Sequence, residues 1–139
     1  MRRLWTMITF LVFLSLALAG CGALTAGQPE AAPTASGPRL RITNNGEHDI
    51  KNLTVLFPDQ EITFGDVAAG ATTEYQPAPD GVYNYGAYRY EVDGETVTQP
   101  VIDWVGETPK QGSFTYVIEY SPDMPLMQRI TLVDVVTTD

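Results

Sequence analysis

The chain has 139 residues, with 8 Lys and Arg against 17 Asp and Glu, a formal charge of −9. Beyond Arg2 and Arg3, its cations Arg39, Arg41, Lys51, Arg89, Lys110 and Arg129 are scattered along the sequence, so the clustered basic surface that nucleic-acid binding requires is not expected. A single cysteine, Cys21, excludes an intrachain disulfide, so an exported domain of this chain must be held by its core.

Met1, Arg2 and Arg3 make a basic start, Leu4 to Gly20 are 17 uncharged residues, and small residues lead into Cys21. That is the three-part layout of a secretory signal, predicted over residues 1–20. A permanent transmembrane helix is the rival, because 17 residues lie at the lower limit for crossing a bilayer. The tetrapeptide Leu18-Ala19-Gly20-Cys21 decides between them: it closely resembles the lipobox of bacterial lipoproteins. The resemblance implies cleavage between Gly20 and Cys21, a diacylglyceryl thioether on Cys21, and often an acyl group on the new amino terminus. Each buried methylene adds about 0.8 kcal/mol, so a second or third chain makes the anchor firm. Lipidation would also remove the only thiol from catalysis and metal binding. The residue after the cysteine is Gly22, not the Asp that can retain such proteins at the inner membrane, so delivery to either the cell membrane or the outer membrane is compatible with the sequence.

Loss of Arg2 and Arg3 moves the formal charge from −9 to −11, which repels anionic lipid and keeps the domain soluble. Gly22 to Gly37 holds five Ala, three Gly, two Pro and one charge, Glu30. Such a segment buries too little to offset its ordering entropy, so 21–37 reads as the lipidated cysteine and a disordered tether. As a flexible coil it spans roughly 20 Å.

Residues 38–139 are long enough for one core. Leu40 and Ile42 alternate with Arg39, Arg41 and Thr43, the period of a half-buried strand, and Asn44-Asn45-Gly46 supplies a turn. Ile50 to Phe57 places Leu53, Val55 and Phe57 on one face and ends at Pro58. Ile62 and Phe64 mark a short strand before Gly65-Asp66, Thr72 to Tyr75 an extended run, and Pro77 to Gly81 a break. Val92-Asp93-Gly94-Glu95 puts Asp-Gly between two alternating runs, the strongest local hairpin signal. A bulge near Gly86 would bring Tyr83, Tyr85, Tyr88 and Tyr90 onto one face; without it they divide between two. Gly106 to Gly112 is a loop. Phe114, Tyr116, Ile118 and Tyr120 alternate over a full-length strand, and Ile130 with Leu132, or Val133 with Val135, forms the last.

The pattern predicts an all-β domain, a sandwich of about seven to nine antiparallel strands. Asp80-Gly81-Val82-Tyr83-Asn84-Tyr85 resembles the Asp-x-Gly-x-Tyr-x-Cys turn of immunoglobulin domains, with Tyr85 at the cysteine position. Gly112-Ser113-Phe114-Thr115-Tyr116 resembles the start of a late strand in such sandwiches. The resemblance to immunoglobulin-like and fibronectin-like domains implies that fold and no activity.

No catalytic set and no cofactor is expected. His48, the only histidine, sits in a turn beside Glu47 and Asp49, and a Ser-His-Asp site would need Ser113 or Ser121 brought to it. Glu91, Asp93 and Glu95, and Asp59, Glu61 and Asp66, lack the spacing of an EF-hand loop; they read as solvated acids and no metal site is expected, a weak Ca²⁺ site being the alternative. Tyr83, Tyr85, Tyr88, Tyr90 and Trp104 are the candidates for ligand or partner contact, since exposed Tyr and Trp give flat amphipathic area at low entropic cost. Their alternative use is the core of a disulfide-free sandwich. The expectation is thus a non-enzymatic, monomeric envelope protein, bound to the membrane through lipid on Cys21, whose domain is an interaction or structural module for an envelope protein. A carbohydrate-binding module using the Tyr-rich strand is the alternative, and a carboxylate-dependent hydrolase the third reading. A planar row of exposed Tyr83, Tyr88 and Tyr90 favours a glycan; a buried set favours neither module.

Overall fold

A computed structural model describes residues 37–101, 103–104 and 106–138. The predicted signal, the lipobox and Cys21 lie outside these residues, as does all of the tether except Gly37. The described chain forms β1 (Arg39–Asn44), β2 (Ile50–Leu56), β3 (Glu61–Val67), β4 (Gln76–Pro77), β5 (Ala87–Val92), β6 (Glu95–Gln99), β7 (Ser113–Tyr120) and β8 (Ile130–Thr138), with a 3-10 turn at Leu126–Gln128. Two four-stranded sheets result, one in the order β4-β1-β7-β8 and the other in the order β3-β2-β5-β6. The domain is all-β, and a common core drawn from both sheets is consistent with a sandwich.

Alternation explains which side chains meet in that core. Leu40 and Ile42 from β1 and Phe114, Tyr116 and Ile118 from β7 are buried against Ile50, Leu53, Val55, Ile62, Val67, Tyr88 and Tyr90 of the other sheet. The Asp93-Gly94 hairpin forms as its sequence predicts: both residues have positive φ, 52° and 81°, and Val92 pairs with Glu95.

Three irregularities modify the predicted strands. In β2, Ile50 and Leu53 are both buried although three residues apart, because the register shifts between them and Asn52 adopts φ 49°. Opposite it, Gly65 has φ 73°, so β3 runs on through Gly65-Asp66 to Val67 instead of stopping before them. In β8, Asp134 pairs with Val117 and Leu132 with Ile118, which leaves Val133 as an extra residue. That bulge reconciles the two alternative pairings of the last strand: Ile130, Leu132 and Val135 all contact the core, while Val133 points outward.

The expectation of an antiparallel sandwich needs one correction: β1 and β7 run parallel over six pairs, Arg39 with Ser113 through Asn44 with Ile118. No hairpin joins them. The intervening chain builds the second sheet before returning, so β7 comes alongside β1 in the same direction. The run Thr72–Tyr75 also contributes less than expected, only a bridge from Thr72 to Thr43, followed by the two-residue β4, which prolines Pro77 and Pro79 keep short. Asn44, read from the sequence as a turn residue, ends β1 fully buried. Its Nδ2 donates to the carbonyls of His48, Val67 and Ala68, and its Oδ1 accepts from the Gly46 amide.

Candidate functional site

Of the two arrangements the sequence left open, the bulge near Gly86 does not form, and the tyrosines separate. β5 begins at Ala87, and the 83–86 segment is not part of the strand. Gly86 instead allows close packing, since a Cβ there would lie 2.7 Å from Val55 Cγ1 and 3.3 Å from Phe57 Cε1. Tyr88 and Tyr90 face inward from β5 and Tyr83 fills the core beside it, with relative exposures of 3%, 1% and 6%. These three candidates for surface contact are therefore core residues and form no exposed row. Tyr85 and Trp104 are half-buried and stack on each other, with centroids 5.2 Å apart at 24°. Trp104 also meets Tyr83 and Phe57 edge-on, and the Phe57 ring meets Tyr116. The outcome is an aromatic plug with one flank at the surface, the Tyr85 side, whose hydroxyl donates to the Asp103 carbonyl at 2.6 Å.

Hydrogen bonds divide the tyrosines further. Tyr116 donates to the Tyr83 carbonyl at 2.6 Å, Tyr83 to Asp59 Oδ2 at 3.3 Å, and Tyr90 to the Leu126 carbonyl, fastening the 3-10 turn over the sheet. The Tyr88 hydroxyl is buried with no partner among the described residues. Burial pushes the Tyr88 and Tyr116 hydroxyls far above the ordinary tyrosine value, and burial followed by nearby carboxylates raises Tyr83 and Tyr85. All four stay protonated at neutral pH and offer no general base.

The carboxylates are mostly engaged in structural contacts. Glu61 pairs with Arg89, Glu91 accepts from Asn52 Nδ2, and Asp66 accepts from both Lys51 Nζ and the Asn52 amide at 3.0 Å. Asp66 thereby clamps the paired irregularities of β2 and β3. Among the described residues no group of three or more His, Cys, Asp or Glu stands where it could hold a metal ion.

His48 is exposed, as a turn residue should be. It shares an open depression of about 370 Å³ with Ser121, Asp123, Glu47 and Glu119, so the fold does bring Ser121 near the histidine. Among the described residues no hydrogen bond joins His48 to Ser121, whose amide donates to the Arg129 carbonyl. The depression therefore lacks the nucleophile–base contact of a hydrolytic triad.

One cluster was missed at the level of sequence. Arg39 and Arg41, adjacent on the outer face of β1, both lie over the Tyr75 ring, at 4.5 and 4.6 Å from its centroid. Arg39 Nε donates to Ser113 Oγ at 2.8 Å and Arg41 Nε to Thr115 Oγ1 at 2.9 Å. Burial alone would raise the Tyr75 hydroxyl, but hydrogen bonds with Thr138 and Thr115 and the charges of Arg41 and Arg39 outweigh it and hold the group below its ordinary value. The two arginines at alternate positions of one strand were the legible signal; their convergence on Tyr75 depends on the 72–77 segment running antiparallel beside β1.

No described helix is long and apolar enough to cross a membrane. Comparisons with protein-family models, curated proteins and solved structures give no match.

Proposed function

We propose that the chain is a lipid-anchored bacterial envelope protein whose β domain, outside the cytoplasm, serves as a non-catalytic interaction or structural module. The observation that carries this is Leu18-Ala19-Gly20-Cys21, positioned after a basic start and 17 uncharged residues. Lipid on Cys21 holds the protein to the cell membrane or outer membrane, and 22–37 is the tether. We assign the domain to the immunoglobulin-like sandwiches, supported by two four-stranded sheets sharing one core and by the Asp80 to Tyr85 turn sequence. The glycan reading loses its main support with the burial of Tyr83, Tyr88 and Tyr90. Mass spectrometry of the mature amino terminus tests the anchor. A first residue of Cys21 carrying acyl chains is the expected result, and an unmodified Cys21, or a chain that retains Met1 to Gly20, overturns it.

A further inference from the structure

Acids outnumber bases 17 to 8 in this chain, yet Arg39 and Arg41 are held against one tyrosine ring with no carboxylate paired to either among the described residues. Elsewhere a carboxylate is at hand: Lys51 meets Asp66 and Arg89 meets Glu61. Two like charges brought to a common ring repel each other, and the ring's negative face offsets only part of that cost. An anion between them would offset the rest.

The geometry also leaves the right donors over. Each guanidinium uses Nε on a hydroxyl, Ser113 for Arg39 and Thr115 for Arg41, and lies on the Tyr75 ring. Those contacts fix the plane of each fork while its terminal nitrogens make no hydrogen bond to another described residue. Rigid forks of this kind match the oxygens of phosphate and carboxylate. Ser113 Oγ accepts from Arg39, so its own proton remains for another acceptor. Two forks and a hydroxyl offer more donors than the two oxygens of a carboxylate use, and suit a group with three oxygens.

We propose that Arg39 and Arg41, with the Ser113 hydroxyl, form a binding site for a phosphoryl oxyanion. Tyr75 is the platform that holds both forks. The site sits where β1, β7 and β8 begin or end together, at Arg39, Ser113 and Thr138. It does not depend on the lipid anchor.

The test follows the Arg39 and Arg41 Nε–Hε signals by nitrogen-15 NMR of the full chain in a nonionic detergent. The probes are inorganic phosphate, glycerol 3-phosphate and glycerophosphoglycerol, with chloride at matched ionic strength as the control. Saturable shifts in the millimolar range are expected with phosphate and not with chloride. Arg41→Lys, which keeps the charge and loses the fork, should weaken binding ~10-fold, and Arg39→Gln combined with Arg41→Gln should abolish it. Tighter binding of inorganic phosphate and glycerol 3-phosphate, which present at least three terminal oxygens, is expected and identifies a soluble phosphate or phosphomonoester as the source; equal or tighter binding of glycerophosphoglycerol, whose diester presents only two, overturns the three-oxygen assignment. Absence of a saturable shift with all three probes, or equal affinity in Arg41→Lys, overturns the proposal and leaves the arginines as clamps on Tyr75 alone. Should the double variant fail to fold, Arg41→Lys and the chloride control still decide.

Discussion

Tyr88 and Tyr116 are both buried tyrosines on strands facing one core, yet their hydroxyls have opposite consequences. Tyr116 donates to the buried Tyr83 carbonyl, whereas Tyr88 has no partner among the described residues. A buried hydroxyl without a partner carries its desolvation cost uncompensated. Tyr88→Phe should therefore leave the domain unchanged or stabilise it by about 1 kcal/mol, while Tyr116→Phe strands a carbonyl and costs about 1–3 kcal/mol. Urea midpoints of the two variants should move in opposite directions or differ by that margin; equal midpoints would remove the distinction. Asp66 acts at the same scale. Its carboxyl is held below the usual carboxylate value first by the Asn52 amide and then by Lys51. A depressed pKa stabilises the fold above the unfolded-state value, and that contribution disappears as pH falls through the folded-state value. Asp66→Asn should thus lower stability at neutral pH and make the acid limb shallower below about pH 4, and an acid limb unchanged in slope would count against the clamp.

Elements with a regular period were legible in the sequence, and those that depend on a neighbour were not. The Asp93-Gly94 hairpin, the alternation in β1 and the long β7 came directly from residue pattern, because each is specified by local turn chemistry or by one buried face. The Asn52 and Gly65 irregularities and the extra Val133 were invisible, since each is defined by its partner strand. Gly86 had a signal whose use the sequence left open. Its position between tyrosines allowed a bulge or a division of the rings between two faces, and the structure uses the absence of a side chain to admit Val55 and Phe57. Gly86→Ala should accordingly cost about 1–3 kcal/mol through overpacking, measurable as a lowered melting temperature. Pairing it with Val55→Ala should recover part of the loss. Full independence of the two substitutions would show that the contact is not the cause.

At the scale of the whole molecule, an acidic all-β domain without a disulfide depends on a core supplied jointly by two four-stranded sheets. The aromatic content that made the sequence look like a binding surface is largely the material of that core: Phe57, Tyr83, Tyr88, Tyr90, Phe114 and Tyr116 are all buried. Composition reports that large rings are present and cannot report which way they point, so the Tyr-rich strand was legible as a strand and illegible as core. The arginine pair reversed that pattern: Arg39 and Arg41 were legible as alternate residues of one strand, and their meeting on Tyr75, far along the sequence, was not. A chain beginning at Pro38 should contain everything this core needs and give a β-type circular-dichroism spectrum as a monomer; a helical spectrum would contradict the fold.

The central proposal, that lipid on Cys21 anchors this domain at the envelope, rests on the lipobox-like sequence Leu18-Ala19-Gly20-Cys21. Metabolic labelling with radioactive palmitate, comparing the natural chain with Cys21→Ala in a bacterial host, addresses it most directly. Label in the natural chain and none in Cys21→Ala is the predicted result; undiminished label in Cys21→Ala would contradict the account.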